Sequence, residues 1–174
     1  MKTRAKLSIC IVLIVSLFCI GRTEAGGIST PFGKVVIENL DIGKTYSTSK
    51  LSNLFLRVRN NSETTIGLVM EILKPLPERK LPEGCEPIPD ASWIRLEKYS
   101  FEIDPGEEAR TDVFITIPED EAHRGKKYVV YILSRTTQGM IRLALESTLI
   151  LGVSESEHQS TLSTKGLEPD RIDE

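Results

Sequence analysis

The chain is short of the residues that carry chemistry: its 174 residues include two histidines, three cysteines and one tryptophan, and aromatics make up 6% of it. That scarcity excludes function classes one by one. His123 and His158 stand at no motif spacing from a nucleophile, so no Ser-His-Asp or Cys-His centre is expected. Zinc would need three or four His or Cys ligands, and neither Cys-x-x-Cys nor His-Glu-x-x-His occurs, so no metal site is expected. Glu119-Asp120-Glu121 and Asp104 are carboxylates suited to calcium, but the Asp-x-Asp-x-Asp-Gly loop is missing and they read as solvated turns. Gly-rich strand-to-helix loops for phosphate are lacking too. The expectation is a non-enzymatic protein with no cofactor and no catalytic residue.

A long hydrophobic span is also missing. The only extended apolar stretch is the 14-residue run from Leu7 to Ile20, well short of the roughly 20 residues a bilayer core requires. It follows the basic segment Met1 to Lys6 and precedes Thr23-Glu24-Ala25, the layout of a secretory signal cut after Ala25. Residues 1–25 are therefore expected to be a signal peptide, 26–153 a folded domain and 154–174 a tail. The domain would act outside the cytoplasm, periplasmic or secreted, with no stable membrane insertion once the signal is removed. Ile9 precedes Cys10 and Phe18 precedes Cys19, so neither cysteine has the small preceding residue of a lipoprotein signal, and both leave with the leader.

Cys85 then stands alone, which removes any internal disulfide and leaves the fold to its hydrophobic core. Its neighbours Glu83 and Glu86 are acidic, and a quiet structural cysteine is expected. Positive charge is scarce as well: beyond Ala25 there are 18 basic and 24 acidic residues, a net charge of -6. Nothing in that balance favours nucleic acid or an anionic membrane.

What is present is period-two alternation broken by turn residues. Thr111, Val113, Ile115 and Ile117 fall on one face of a strand, with Arg110, Asp112 and Thr116 on the other and Phe114 as the apolar exception there. Leu54, Leu56 and Val58 alternate, as do Ile66, Leu68, Met70 and Ile72, then Tyr128, Val130 and Ile132, then Ile141, Leu143, Leu145, Leu149 and Leu151. No 3.6-residue apolar pattern of similar length appears after the leader, so helix should be minor.

Turns fall between these runs. Asn60-Asn61-Ser62-Glu63 suits a tight turn because Asn tolerates positive φ. Asp104-Pro105-Gly106-Glu107 is a turn in which Pro105 presets φ and Gly106 accepts a positive one. Thr136 to Gly139 closes another hairpin. Pro118 to Ala122 can make a single helical turn with acids at its start. Residues 74–92 carry five of the nine prolines, which excludes a central strand. They are expected to bridge the sheets, to add at most a short edge strand, and to be a place where binding residues sit. From Ser154 onward the sequence is polar and acidic and should not fold by itself.

About seven or eight strands without a disulfide point to two antiparallel sheets packed face to face. The runs Pro89-Asp-Ala-Ser-Trp-Ile-Arg-Leu-Glu97, Phe101-Glu-Ile-Asp-Pro-Gly-Glu107, Val113-Phe-Ile-Thr-Ile-Pro118 and Gly125-Lys-Lys-Tyr128 resemble the C-terminal half of immunoglobulin-like domains of secreted bacterial proteins. The likeness spans residues 28–153 and extends broadly to pilus chaperones, of which it matches one domain only. It implies a single all-β immunoglobulin-like sandwich, with Trp93 and Tyr128 as core and corner aromatics.

Three functional expectations follow. The first is a protein-interaction or structural module of the cell envelope with an envelope or secreted protein as partner. The second is a carbohydrate-binding module, with Phe55, Phe114 and Tyr131 as outward rings that could stack on a glycan. The third is a single-domain, chaperone-like acceptor of a partner strand at an exposed sheet edge.

Overall fold

A computed structural model describes residues 27–138 and 142–156. The expected signal segment, nearly all of the tail and the tip of the 136–144 hairpin lie outside the described residues.

The chain begins with β1 (Ile28–Ser29) and β2 (Lys34–Leu40), one run that belongs to two sheets. β1 pairs antiparallel with β4 (Leu56–Asn60), whereas β2 pairs in parallel with β12 (Ala144–Val153). The change of sheet falls at Phe32-Gly33, where Phe32 is buried in the core. The second run is also divided: β3 (Thr45–Ser47) leads into the five-residue helix α1 (Thr48–Ser52) and then β4. Ser47 caps α1 by accepting from the Lys50 amide, and Asn53 ends it at φ 52°, a left-handed conformation that asparagine tolerates.

β5 (Ile66–Leu73), β6 (Cys85–Pro87), β7 (Ile94–Leu96) and β8 (Ser100–Ile103) follow. The next run is split into β9 (Glu108–Thr111) and β10 (Val113–Thr116), and β11 (Lys127–Thr136) with β12 completes the fold. The larger sheet has the order β2-β12-β11-β5-β8, with β6 also on β11. The opposing layer is β1-β4-β9 and β3-β10-β7, joined because β9 and β10 are successive parts of one run. Among the described residues there are twelve strand segments where seven or eight strands were expected: three runs are interrupted, and β6 is a short additional edge strand.

Both layers contribute to one core. Leu56, Val58, Ala109, Val113 and Ile115 come from the smaller layer, and Leu68, Met70, Tyr128, Val130, Ile132, Leu149 and Leu151 from the larger sheet. Their spacing of two is the alternation read from the sequence, and the result is an all-β sandwich. In the turn after β8, Gly106 takes φ 77° and the Glu107 amide donates to the Asp104 carbonyl, so Pro105 and Gly106 act as their residue types dictate. The turn after β4 works differently from its expectation. Neither Asn60 nor Asn61 has a positive φ; instead the buried Asn60 side chain accepts from the Ser62 amide and donates to the Thr64 and Ile103 carbonyls, an Asx-type turn. Residues 121–123 form a single 3-10 turn capped by Asp120.

Candidate functional site

The three aromatics singled out for ligand stacking lie on two different faces, and each is covered by an arginine. Tyr131 is only 5% exposed. It sits on the outer face of the larger sheet with Val129 and Ile150, and Leu81 and Cys85 pack over that cluster. The Arg79 guanidinium lies 4.1 Å from the Tyr131 ring centroid and makes a two-pronged bond to Glu146, at 2.7 and 2.6 Å. The proline-rich segment thus folds back as a strap over β11 and β12 before β6 joins β11 and the chain crosses to β7. Lys74 donates to the Pro89 carbonyl across the base of the strap. Tyr131 is accordingly covered by the segment expected to bridge the sheets and to add at most a short edge strand.

Phe55 and Phe114 are half-buried on the outer face of the smaller layer. Arg110 stands 3.6 Å over the Phe55 ring and Arg95 4.3 Å over Phe114. A guanidinium thus occupies one face of each ring, a face on which a sugar would otherwise stack. Alternation along β9 and β10 places Arg110, Asp112, Phe114 and Thr116 outward, as the sequence pattern requires.

Asp112 nevertheless is 6% exposed, because α1 lies over it. Its carboxylate accepts from the Ser47 hydroxyl at 2.5 Å, the Thr48 hydroxyl at 3.1 Å, the Ser49 amide at 3.0 Å and hydroxyl at 2.7 Å, and the Val113 amide at 2.8 Å. Burial alone would raise its pKa; the hydroxyl and amide donors of Ser47, Ser49 and Thr48 outweigh it and lower the value to about 2. This carboxylate holds the interruption between β3 and β4 in place. No local signal near Asp112 announces it, since four of its five donors are more than 60 residues away.

Trp93, His123 and Tyr128 form an edge-to-face ring cluster, with centroids 4.8 Å apart for Trp93 and His123 and 5.4 Å for Trp93 and Tyr128. His123 Nδ1 and the Tyr128 hydroxyl are 2.8 Å apart, and burial raises the tyrosine's pKa. This places Tyr128 in the core with its hydroxyl partnered, and occupies the histidine that the sequence left unattached. Among the described residues there is no group of three or more His, Cys, Asp or Glu able to hold a metal ion, and no helix is long and apolar enough to cross a membrane.

The larger sheet has an open stretch. β2 reaches β12 only from Thr148 onward, because the first run leaves this sheet at Gly33, whose carbonyl accepts from the Thr148 amide at 2.9 Å. Leu143 and Thr136 bond to each other on the β11 side, so alternation turns the backbone groups of Ala144 and Glu146 away from β11. No described strand pairs with residues 144–147 on that side. Leu145 beside them is half-buried, and the Ser147 and Ser134 hydroxyls, both 1% exposed by residue, have no hydrogen-bond partner.

Comparison with solved structures agrees with this architecture. The chain is similar to the ASH/PapD-like domain of human CEP192, at 12% identity and TM-score 0.55 over 75% of this chain and 87% of that one. It is also similar to a Bacteroides ovatus protein provisionally described as carbohydrate-binding, at 12% identity and TM-score 0.54 over 74% of this chain and 37% of the other. The E. coli chaperone DraB gives 12% identity and TM-score 0.48 over 76% of this chain and 57% of its own; the chain thus spans little more than half of that chaperone. No family model and no curated protein matches the sequence. The likeness is one of fold, an immunoglobulin-like β-sandwich.

Proposed function

We propose that this domain is a non-catalytic, extracytoplasmic protein-binding module that takes an extended partner segment onto β12 beside Ala144–Ser147. The open backbone of Ala144 and Glu146, left by the exit of the first run at Gly33, carries this reading. An added strand would satisfy those groups by the same geometry that β2 uses from Thr148 onward. The location rests on the N-terminal sequence, with its basic start, short apolar run and small residue before the cut. Glycan stacking is disfavoured by the guanidiniums over Phe55 and Phe114 and by the strap over Tyr131.

Ala144→Pro tests the edge. Proline removes an amide that has no partner among the described residues, so the domain should remain folded with a change of about 0.5 kcal/mol or less. A photocrosslinker at position 142 should capture an envelope protein in cells for the native chain, and the A144P chain should lose that adduct. An adduct that survives A144P, or none from either folded chain, would remove strand addition as the function.

A further inference from the structure

The outer face of the smaller layer gathers arginines on a chain that is acidic overall. Arg57 and Arg59 on β4, Arg110 on β9 and Arg95 on β7 are all exposed there. The register places Arg57 directly opposite Arg110, a like-charge pair that lowers stability. Glu108, 3.9 Å from Arg57 with both side chains about two-fifths exposed, offsets little of this. Glu97 is the other exposed acid next to β10, and Asp112 is already saturated by its five donors.

Two of the guanidiniums are braced. Arg110 stands over Phe55 and Arg95 over Phe114, so less side-chain freedom is lost when their forks meet a carboxylate. Bidentate carboxylate pairing is the interaction that such forks favour. The sequence supplies a matching segment. Residues 157–174 contain Glu157, Glu168, Asp170, Asp173 and Glu174 against Lys165 and Arg171. Eighteen residues extend on the order of 60 Å, while packed sheets are separated by about 10 Å, so a segment leaving Ser156 reaches the opposite face.

We propose that the face formed by Arg57, Arg95 and Arg110 is the docking surface for this chain's own acidic segment, residues 157–174. The surface is on the opposite sheet from the β12 edge, and the assignment does not depend on strand addition. The fit is one of charge: braced guanidiniums meet carboxylates concentrated between Glu168 and Glu174. It also gives the unfavourable Arg57 and Arg110 pair a compensating partner.

The test is NMR of arginine side-chain N–H groups in the full signal-free chain, compared with the same chain carrying E168Q, D170N, D173N and E174Q. Those substitutions should shift the Arg57, Arg95 and Arg110 resonances and leave Arg79 and Arg135 unmoved. Salt at 1 M, where the Debye length is about 3 Å, should abolish the difference. A photocrosslinker at position 172 should join peptides containing Arg57 or Arg110, with the yield falling about tenfold in folded R57Q/R110Q. Resonances that do not respond to neutralisation, or crosslinks indifferent to R57Q/R110Q, would overturn the assignment. So would heparin fragments or anionic vesicles binding this face equally well with the native and the neutralised segment, since the face would then be open to outside polyanions.

Discussion

The two sheets share one core but finish their outer faces in different ways. On the larger sheet, Val129, Tyr131 and Ile150 would present an apolar patch, and the strap closes over them with Leu81, Cys85 and Arg79. On the smaller layer the outward positions are mostly polar, and the covering element is α1, a single short helix held by one carboxylate. An apolar cover needs area; a polar one needs donors matched to acceptors. The first tolerates small changes in shape, whereas the second loses most of its strength when its central group is removed.

Removing that group should have the largest effect on this contrast. Asp112→Ala leaves buried hydroxyls and amides around Ser47, Thr48 and Ser49 without their acceptor, and should destabilise the domain by about 3 kcal/mol in urea unfolding. Acid should reach the same bond from another direction. The folded pKa of about 2 lies below the ordinary 3.8, so the carboxylate's contribution is complete above pH 4 and is lost as pH falls through 2. By linkage it amounts to about 2 kcal/mol. Asp112→Asn should flatten this component of the stability profile between pH 4 and 2.

The strap should yield less. Leu81→Ala removes part of a half-buried side chain and should cost about 1–2 kcal/mol, with faster amide exchange along 74–84 but not along α1. Equal effects in both regions would mean that the two covers are one cooperative unit. Arg79→Ala breaks an exposed pair with Glu146 and a stacking contact, and should cost less than Leu81→Ala. The smallest change has the opposite sign: Arg57→Gln relieves the Arg57 and Arg110 pair and should raise stability by about 0.3 kcal/mol at low salt. A loss above 1 kcal/mol would show that the pair is not a repulsive one.

This division also marks how far the sequence could be read. Strand faces such as 111, 113, 115 and 117 were legible because burial follows a period of two along a single strand. The Pro105-Gly106 turn was legible because its geometry is local. α1 has the Ser47 cap as a local signal, but its place in the fold depends on Asp112, and such a contact leaves no spacing pattern. Tyr131 shows a related limit. Alternation assigns it correctly to the outer face, yet whether an outer face meets solvent depends on where a proline-rich segment folds. The open backbone at Ala144 and Glu146 follows from the start of β2 only at Lys34, which depends on pairing and not on residue type.

The first run's passage from one sheet to the other has a mechanical consequence. β2 and β12 run in the same direction, paired from Lys34 with Thr148 to Ile37 with Leu151 and, after a one-residue register shift, at Leu40 with Val153. A pull on the chain before Lys34 against one after Val153 loads their ladder along its length. The bonds must then fail together rather than peel one at a time, so resistance to force is set by this short patch and by its unfolding rate. A domain tethered at both ends would hold under tension in proportion to that patch, however stable its core.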